Sequence, residues 1–238
     1  MTGEGGPAAS ADATAWLDLP ANSSFTVRTL ETGRELRFEG PGRVRACSGD
    51  VALVAEGSAV GLPGSGEAPG VEQWVATACG VARWASGVHR FGAARDACKL
   101  QSSIGTVHLY AALDVTTEEI VDGGAPPAGD GGASPWRRVD VRQAFVLKAR
   151  GPLDTAASVK SALAACERAV SSVQSLSAGM ADREAGVNTG DLAAQSVAAR
   201  GIARAACAVA AVRVALAGSR SGDVARLEAA STRWRAPR

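Results

Sequence analysis

QWVATACGVARWASGVHRFGAARDACKLQSSIGTVHLYAAL, residues 73–113, decides the fold class of the chain. It divides into short runs, QWVATA, GVARWA, GVHRFG, ACKLQS and TVHLYAAL, in which apolar and polar residues alternate and glycine or serine marks the joints. A period of two sends successive side chains to opposite faces, so these runs read as half-buried strands joined by turns. The same pattern lies upstream in FTVRTL (25–30), ELRFE (35–39), RVRAC (43–47) and VALVAEG (51–57), separated by TG (32–33), GPG (40–42) and SGD (48–50). GLPGSGEAPG (61–70) reads as a loop, and its glycines lack the lysine and following helix of a phosphate-binding loop. Downstream, GGAPPAGDGGASP (123–135) is expected to be a mobile loop, after which RRVDVRQAFVLKAR (137–150) returns to strand spacing. The prediction is an antiparallel β sandwich or roll over 16–150, preceded by a disordered lead at 1–15.

Beyond Gly151-Pro152 the period changes. Asp154 is the expected helix N-cap, and Val159, Leu163, Cys166, Val170, Val173, Ser177 and Met180 follow at steps of four and three, a coiled-coil-like stripe. After a break at AGVNTGD (185–191), residues 192–216 predict a second long helix with Ile202, Val209, Val212 and Leu216 on one flank and alanine elsewhere. A polar break at 218–223 precedes VARLEAASTRW (224–234), expected to extend or bend that helix. Short connections make such helices antiparallel neighbours, so 151–238 is expected to be a helical hairpin and the whole chain α+β. One hairpin seam leaves the flank of Val197, Val212, Val214 and Leu227 to be covered. Cover by the β part is the expectation, with oligomerisation through the helices as the alternative.

Composition narrows the function. The chain has 238 residues, 46% apolar and 21% charged, with net charge +1, so it has the apolar mass for a packed core but no global field to gather nucleic acid. Five Trp, four Phe, one Tyr and two His leave few platforms for stacked bases and few general bases. Residues 151–238 carry 11 Lys/Arg against 7 Asp/Glu, a mildly basic half whose arginines crowd the final turns. Arginine's large excess over lysine reads as the coding background of a GC-rich genome. No run is long and apolar enough to span a membrane, and the start lacks the basic and apolar regions of a secretory signal. The expectation is a cytoplasmic protein, or a periplasmic or envelope-tethered one whose signal has been removed or missed.

Two tracts share a skeleton: V27-x-T29-x-x-x-G33, then LRFEGPGRV and VALVAEGSAV; and V75-x-T77-x-x-G80, then VARWASG and G105-x-V107-x-L109. Over residues 25–109 this resembles the FecR-type β domain, with its V-x-T-x-x-G opening, glycine turn and returning G-x-V-x-L strand. The transmembrane helix and cytoplasmic segment of anti-sigma members have no counterpart in this sequence. What the resemblance implies is therefore an envelope-associated, non-catalytic β module of the kind used in surface signalling or as a lipoprotein scaffold. Gly33, Gly40, Gly80 and Gly105 are expected to serve turns, and Thr29 and Thr77 to serve strands.

The five cysteines are Cys47, Cys79, Cys98, Cys166 and Cys207. In an antiparallel hairpin turning near residues 186 and 187, Cys166 and Cys207 fall at the same level, so a disulfide between them competes with two reduced core thiols. Cys79 and Cys98 are candidates for a second disulfide, and Cys47 is left over. Cys79, His89, Cys98 and His108 lie at near-ten-residue intervals without a paired C-x-x-C or H-x-x-x-H spacing, so neither a zinc site nor a Cys/His nucleophile pair is backed. Acidic TTEEIVD (116–122) lacks a calcium-loop register. Trp74, Trp84 and Trp136 are core or rim residues first, and a candidate binding surface for a peptide or saccharide second.

The reading is a non-enzymatic binding, regulatory or scaffold module of the bacterial envelope, with no catalytic residues, cofactor or metal. Its partner is expected to be a protein or envelope polymer and not nucleic acid. Two alternatives are a cytoplasmic adaptor assembling through the helices and an enzyme using a Cys/His site in the second β tract.

Overall fold

The computed structural model describes residues 15–29, 33–46, 51–63, 72–94, 96–120, 135–140, 142–181 and 189–235. The expected disordered lead (all but residue 15), the loop at 64–70, Cys47, the loop at 121–134 and the hairpin turn at 182–188 lie outside them. The strands are β1 (Leu17–Leu19), β2 (Ser24–Arg28), β3 (Glu35–Ala46), β4 (Val51–Leu62), β5 (Gln73–Thr77), β6 (Gly80–Trp84), β7 (Val88–Ala93), β8 (Ala97–Ile104), β9 (Val107–Ala111), β10 (Val115–Ile120), β11 (Trp136–Val139) and β12 (Ala144–Ala149). The helices are α1 (Ala156–Ala181), α2 (Thr189–Leu216) and α3 (Ser221–Arg235). The class is α+β, as the change of period at residue 154 predicts.

All the strands belong to one curled sheet that branches at β4. The first residues of β4 pair parallel with β5, from Val51 opposite Trp74 to Val54 opposite Thr77, and its last residues pair antiparallel with β7, from Gly57 opposite Ala93 to Gly61 opposite His89. Its other edge runs along β3. Two arms result: β5–β6–β9–β11 and β7–β8–β12–β10. Ala52, Leu53, Val54 and Ala55 are all buried, as a strand covered on both faces requires. The β3–β4 register shifts between Glu39 and Val44, where Gly57 sits at φ 93°. A side chain there is strained and would press on the Glu39 and Pro41 carbonyls, so glycine permits the bulge that lets the strand change arms. The GPG at 40–42 is consequently no turn. ELRFE and RVRAC form one continuous strand, with Pro41 tolerated at the bulge because no ladder hydrogen bond is asked of it there.

Alternation decides what faces inward. Val75, Ala82, Trp84 and Leu109 of the first arm meet Phe91, Leu100, Phe145 and Leu147 of the second, joined by Leu36, Phe38 and Val44 of β3. The first arm's outer face is also covered: α2 packs on β4, β5 and β6, and Ala205, Val209 and Val212 join the same core. Val212 is thus covered within the chain.

The α1 stripe Val159, Leu163, Cys166, Val170 and Val173 packs against Ala203, Cys207, Ala210 and Val214 of α2 in a second core. The N-cap of α1 is Thr155 and not Asp154, its hydroxyl accepting the Ser158 N–H at 3.2 Å. The described residues of 151–238 form three helices, the third separate from α2. α2 ends at Leu216 and is closed off by Gly218, φ 85°, with the Ser219 N–H donating to the Val214 carbonyl at 2.8 Å, and α3 folds back so that Ala230, Val224 and Leu227 cover the α1–α2 pair. Of the flank needing cover, Val212 meets the sheet, Val214 the helix seam and Leu227 the second core, while Val197 is 70% exposed.

Candidate functional site

Both cysteine pairs are bonded. Cys79, in the β5–β6 turn, joins Cys98 on β8 with Cα atoms 6.1 Å apart, linking the two arms of the sheet. Cys166 on α1 joins Cys207 on α2 at 4.5 Å between Cα atoms, across the hairpin seam. One bond lies in each buried core.

The β5–β6 turn is also where the helices are fastened. Arg213, in the apolar run AVAAVRVAL (208–216), is 1% exposed. Its Nε donates to the Ala78 carbonyl at 2.9 Å, and its two Nη atoms donate to Asp114 Oδ2 and Oδ1 at 2.6 and 2.7 Å. Nη1 also reaches the Ser158 carbonyl of α1 at 3.4 Å. One side chain so connects α2 with the first arm, the β9–β10 turn and α1. Burial works to raise the Asp114 carboxyl, but the Arg213 guanidinium outweighs it and holds the group below the usual carboxylate range. An arginine inside an apolar helical run was the available sequence signal; nothing near Asp114 marked its partner.

The three tryptophans do not form one surface. Gln73 faces Trp84 and Trp74 faces Arg83 across the β5–β6 ladder, so Trp74 and Trp84 point to opposite faces. Trp84 is 2% exposed, donates its indole N–H to Gln73 Oε1 at 3.0 Å and lies 5.2 Å from the His89 ring. It is a core residue, and the proposed surface loses it. Trp74 and Trp136 share the outer face, edge to face at 5.5 Å, with Tyr110 beside Trp136 at 5.4 Å. Their ring faces are taken by this chain's own cations: the Arg83 guanidinium lies 4.6 Å from Trp136 and 5.6 Å from Trp74, and that of Arg204, from α2, lies 4.3 Å from Trp74. Trp74 is also buried, at 6% exposed, which leaves half-buried Trp136 as the more accessible of the two.

His89 and His108 diverge as well. His89 is fully buried and its Nε2–H donates to the Ser86 carbonyl at 2.9 Å, while burial lowers its pKa. His108 stands on the outer face between Arg83 and Arg138, its pKa lowered first by burial and then by Arg83. Among the described residues, no three His, Cys, Asp or Glu side chains gather in a group that could hold a metal. With Cys79 and Cys98 bonded to each other, neither thiol is available as a nucleophile.

Among the described residues, an open space lies beside the aromatic pair. A trough of about 400 Å³ runs between Tyr110, Leu113 and Pro135 on the sheet side and the faces of α1 and α2 at Ala165, Ala169, Ile202 and Ala206. Tyr110, Leu113, Ala165 and Ala206 also line a neighbouring cavity of about 20 Å³ bounded by Asp114 and Arg213. The lining of the trough is mainly apolar, with Arg168 and Ser172 as its charged and polar members. Among the described residues its lining holds neither Cys nor His.

No protein-family model matches the chain, and no curated protein matches it. Two solved structures, both of "a putative anti-sigma factor" from Parabacteroides distasonis ATCC 8503, are similar at 13% identity over 58% of this chain, each with a TM-score of 0.39. This chain spans 57% and 56% of those chains. No helix among the described residues is long and apolar enough to cross a membrane.

Proposed function

We propose that this chain is a non-enzymatic binding module of the bacterial envelope that regulates or scaffolds through contact with a protein partner. The observation that carries the reading is the pair of disulfides, one in each core. Such bonds persist in oxidising compartments and are rare where glutathione and thioredoxin keep thiols reduced. The trough beside Tyr110 gives a protein partner a place to dock, whereas burial of Trp74 and Trp84 and the Arg83 guanidinium beside Trp136 speak against a polysaccharide. A FecR-type identity for the β part belongs to the same proposal. It is supported by Val27 on β2 and Val75 on β5, which open the two V-x-T tracts, and by positive φ at Gly33 and Gly105.

Fractionation of native cells, with thiols alkylated before and after reduction, tests the proposal. The expected result is an envelope fraction in which Cys79, Cys98, Cys166 and Cys207 react only after reduction. Five reactive thiols in a cytosolic fraction would replace it with the cytoplasmic adaptor. Substrate turnover abolished by His89→Ala or Cys79→Ala would replace it with an enzyme.

A further inference from the structure

The charges around the trough are unevenly matched. Glu167, the acid next to Arg168, is held by Arg226 of α3 at 2.9 and 3.1 Å, and Asp114 in the neighbouring cavity is held by Arg213. Arg168 itself is exposed and has no ion-pair partner among the described residues. Among the described residues the trough therefore offers a mainly apolar lining and one positive charge without an ion-pair partner, within a segment that carries 11 Lys/Arg against 7 Asp/Glu.

Its shape selects the kind of ligand. The α1 wall, from Ala165 to Ser172, is a run of about 10 Å, two helical turns, at 1.5 Å per residue. The volume of about 400 Å³ lies within the range of ligand pockets, about 300–1,000 Å³, but the space is an open trough with Leu113 76% exposed on its rim. A segment of another protein brings its own surface to cover that rim, and alanine walls let a further helix approach closely.

We propose that this trough is the docking site of an amphipathic helix from a partner protein, apolar on the entering face and bearing carboxylates on the flank that meets Arg168. This rests on the protein-binding reading above and adds the chemistry of the partner; the thiol and fractionation results stand whatever happens here.

The test uses the full oxidised chain and two fluorescein-labelled peptides of about 15 residues. Both carry the same Leu/Ala stripe at i, i+3, i+4 spacing, one flanked by Glu and the other by Lys. Anisotropy titration is expected to show saturable binding of the Glu peptide, with the Lys peptide weaker by about tenfold and the order reversed in Arg168→Glu. Ser172→Trp, at an exposed position lining the trough, and Leu113→Asp should each abolish binding while leaving the melting temperature in place. The proposal fails if neither peptide saturates, if flank charge makes no difference, or if Ser172→Trp binds as well as the parent. A concentration-dependent rise in mass that Ser172→Trp removes would assign the trough to a second copy of the chain and equally overturn it.

Discussion

Arg213 and Asp114 stand 99 residues apart in sequence and meet in a two-pronged ion pair, 2.6 and 2.7 Å, at the point where both helix hairpin and sheet arms converge. The cation is buried and the carboxylate one-third exposed. Loss of the carboxylate strands a charge that has only two backbone carbonyls left. Asp114→Ala is expected to cost about 2–4 kcal/mol in urea unfolding, below the upper range for buried pairs because Asp114 is partly hydrated. Arg213→Leu in the Asp114→Ala background should recover part of that loss. A double variant weaker than Asp114→Ala alone would show that the guanidinium serves mainly through Ala78 and Ser158.

Acid should destabilise the fold in two steps. His89 and His108 have lowered pKa values in the folded chain, so as pH falls through their unfolded value near 6.5 the unfolded state takes up protons first and stability drops. Asp114 is lowered relative to its unfolded value, so its contribution is complete above about pH 4 and is lost as pH falls further. Melting temperatures measured from neutral pH downward should show both windows, with Asp114→Asn flattening only the lower one. A flat profile between about pH 7 and 5 would contradict the assignment of His89 as a neutral core residue.

Each disulfide stabilises by limiting the unfolded chain. Sequence separations of 19 and 41 correspond to about 3 kcal/mol for Cys79–Cys98 and about 4 kcal/mol for Cys166–Cys207. Paired serine substitutions, compared by denaturant midpoints, check both values and their order.

Val212 and Val197 lie on one helix with opposite surroundings, the first fully buried against the sheet and the second 70% exposed. Val212→Asp places an unpaired charge in the shared core and is expected to abolish cooperative folding. Val197→Asp should change stability by less than about 0.5 kcal/mol. A soluble, stably folded Val212→Asp monomer would mean that α2 docks on a partner and not on its own sheet.

Local periodicity carried much of the fold into the sequence. Alternation over 73–113 reports strands because a pleated chain must segregate its faces, and the stripe from Val159 to Val173 reports a helix because its seam recurs every three or four residues. The level pairing of Cys166 with Cys207 follows from hairpin geometry alone. What depended on distant residues was not legible. GPG at 40–42 looks like a turn until Gly57, on the neighbouring strand, supplies the bulge that carries β3 straight through. Trp84 and Trp74 look equivalent until the β5–β6 register sends them to opposite faces. The Arg213–Asp114 pair and the trough beside Tyr110 arise only when α1 and α2 lie across the first arm. Sequence by itself determined which segments segregate apolar from polar side chains, since that is set within a few neighbouring residues. The tertiary structure alone decided which faces meet, which charges are cancelled and which surface stays open, since those depend on groups brought together from far along the chain.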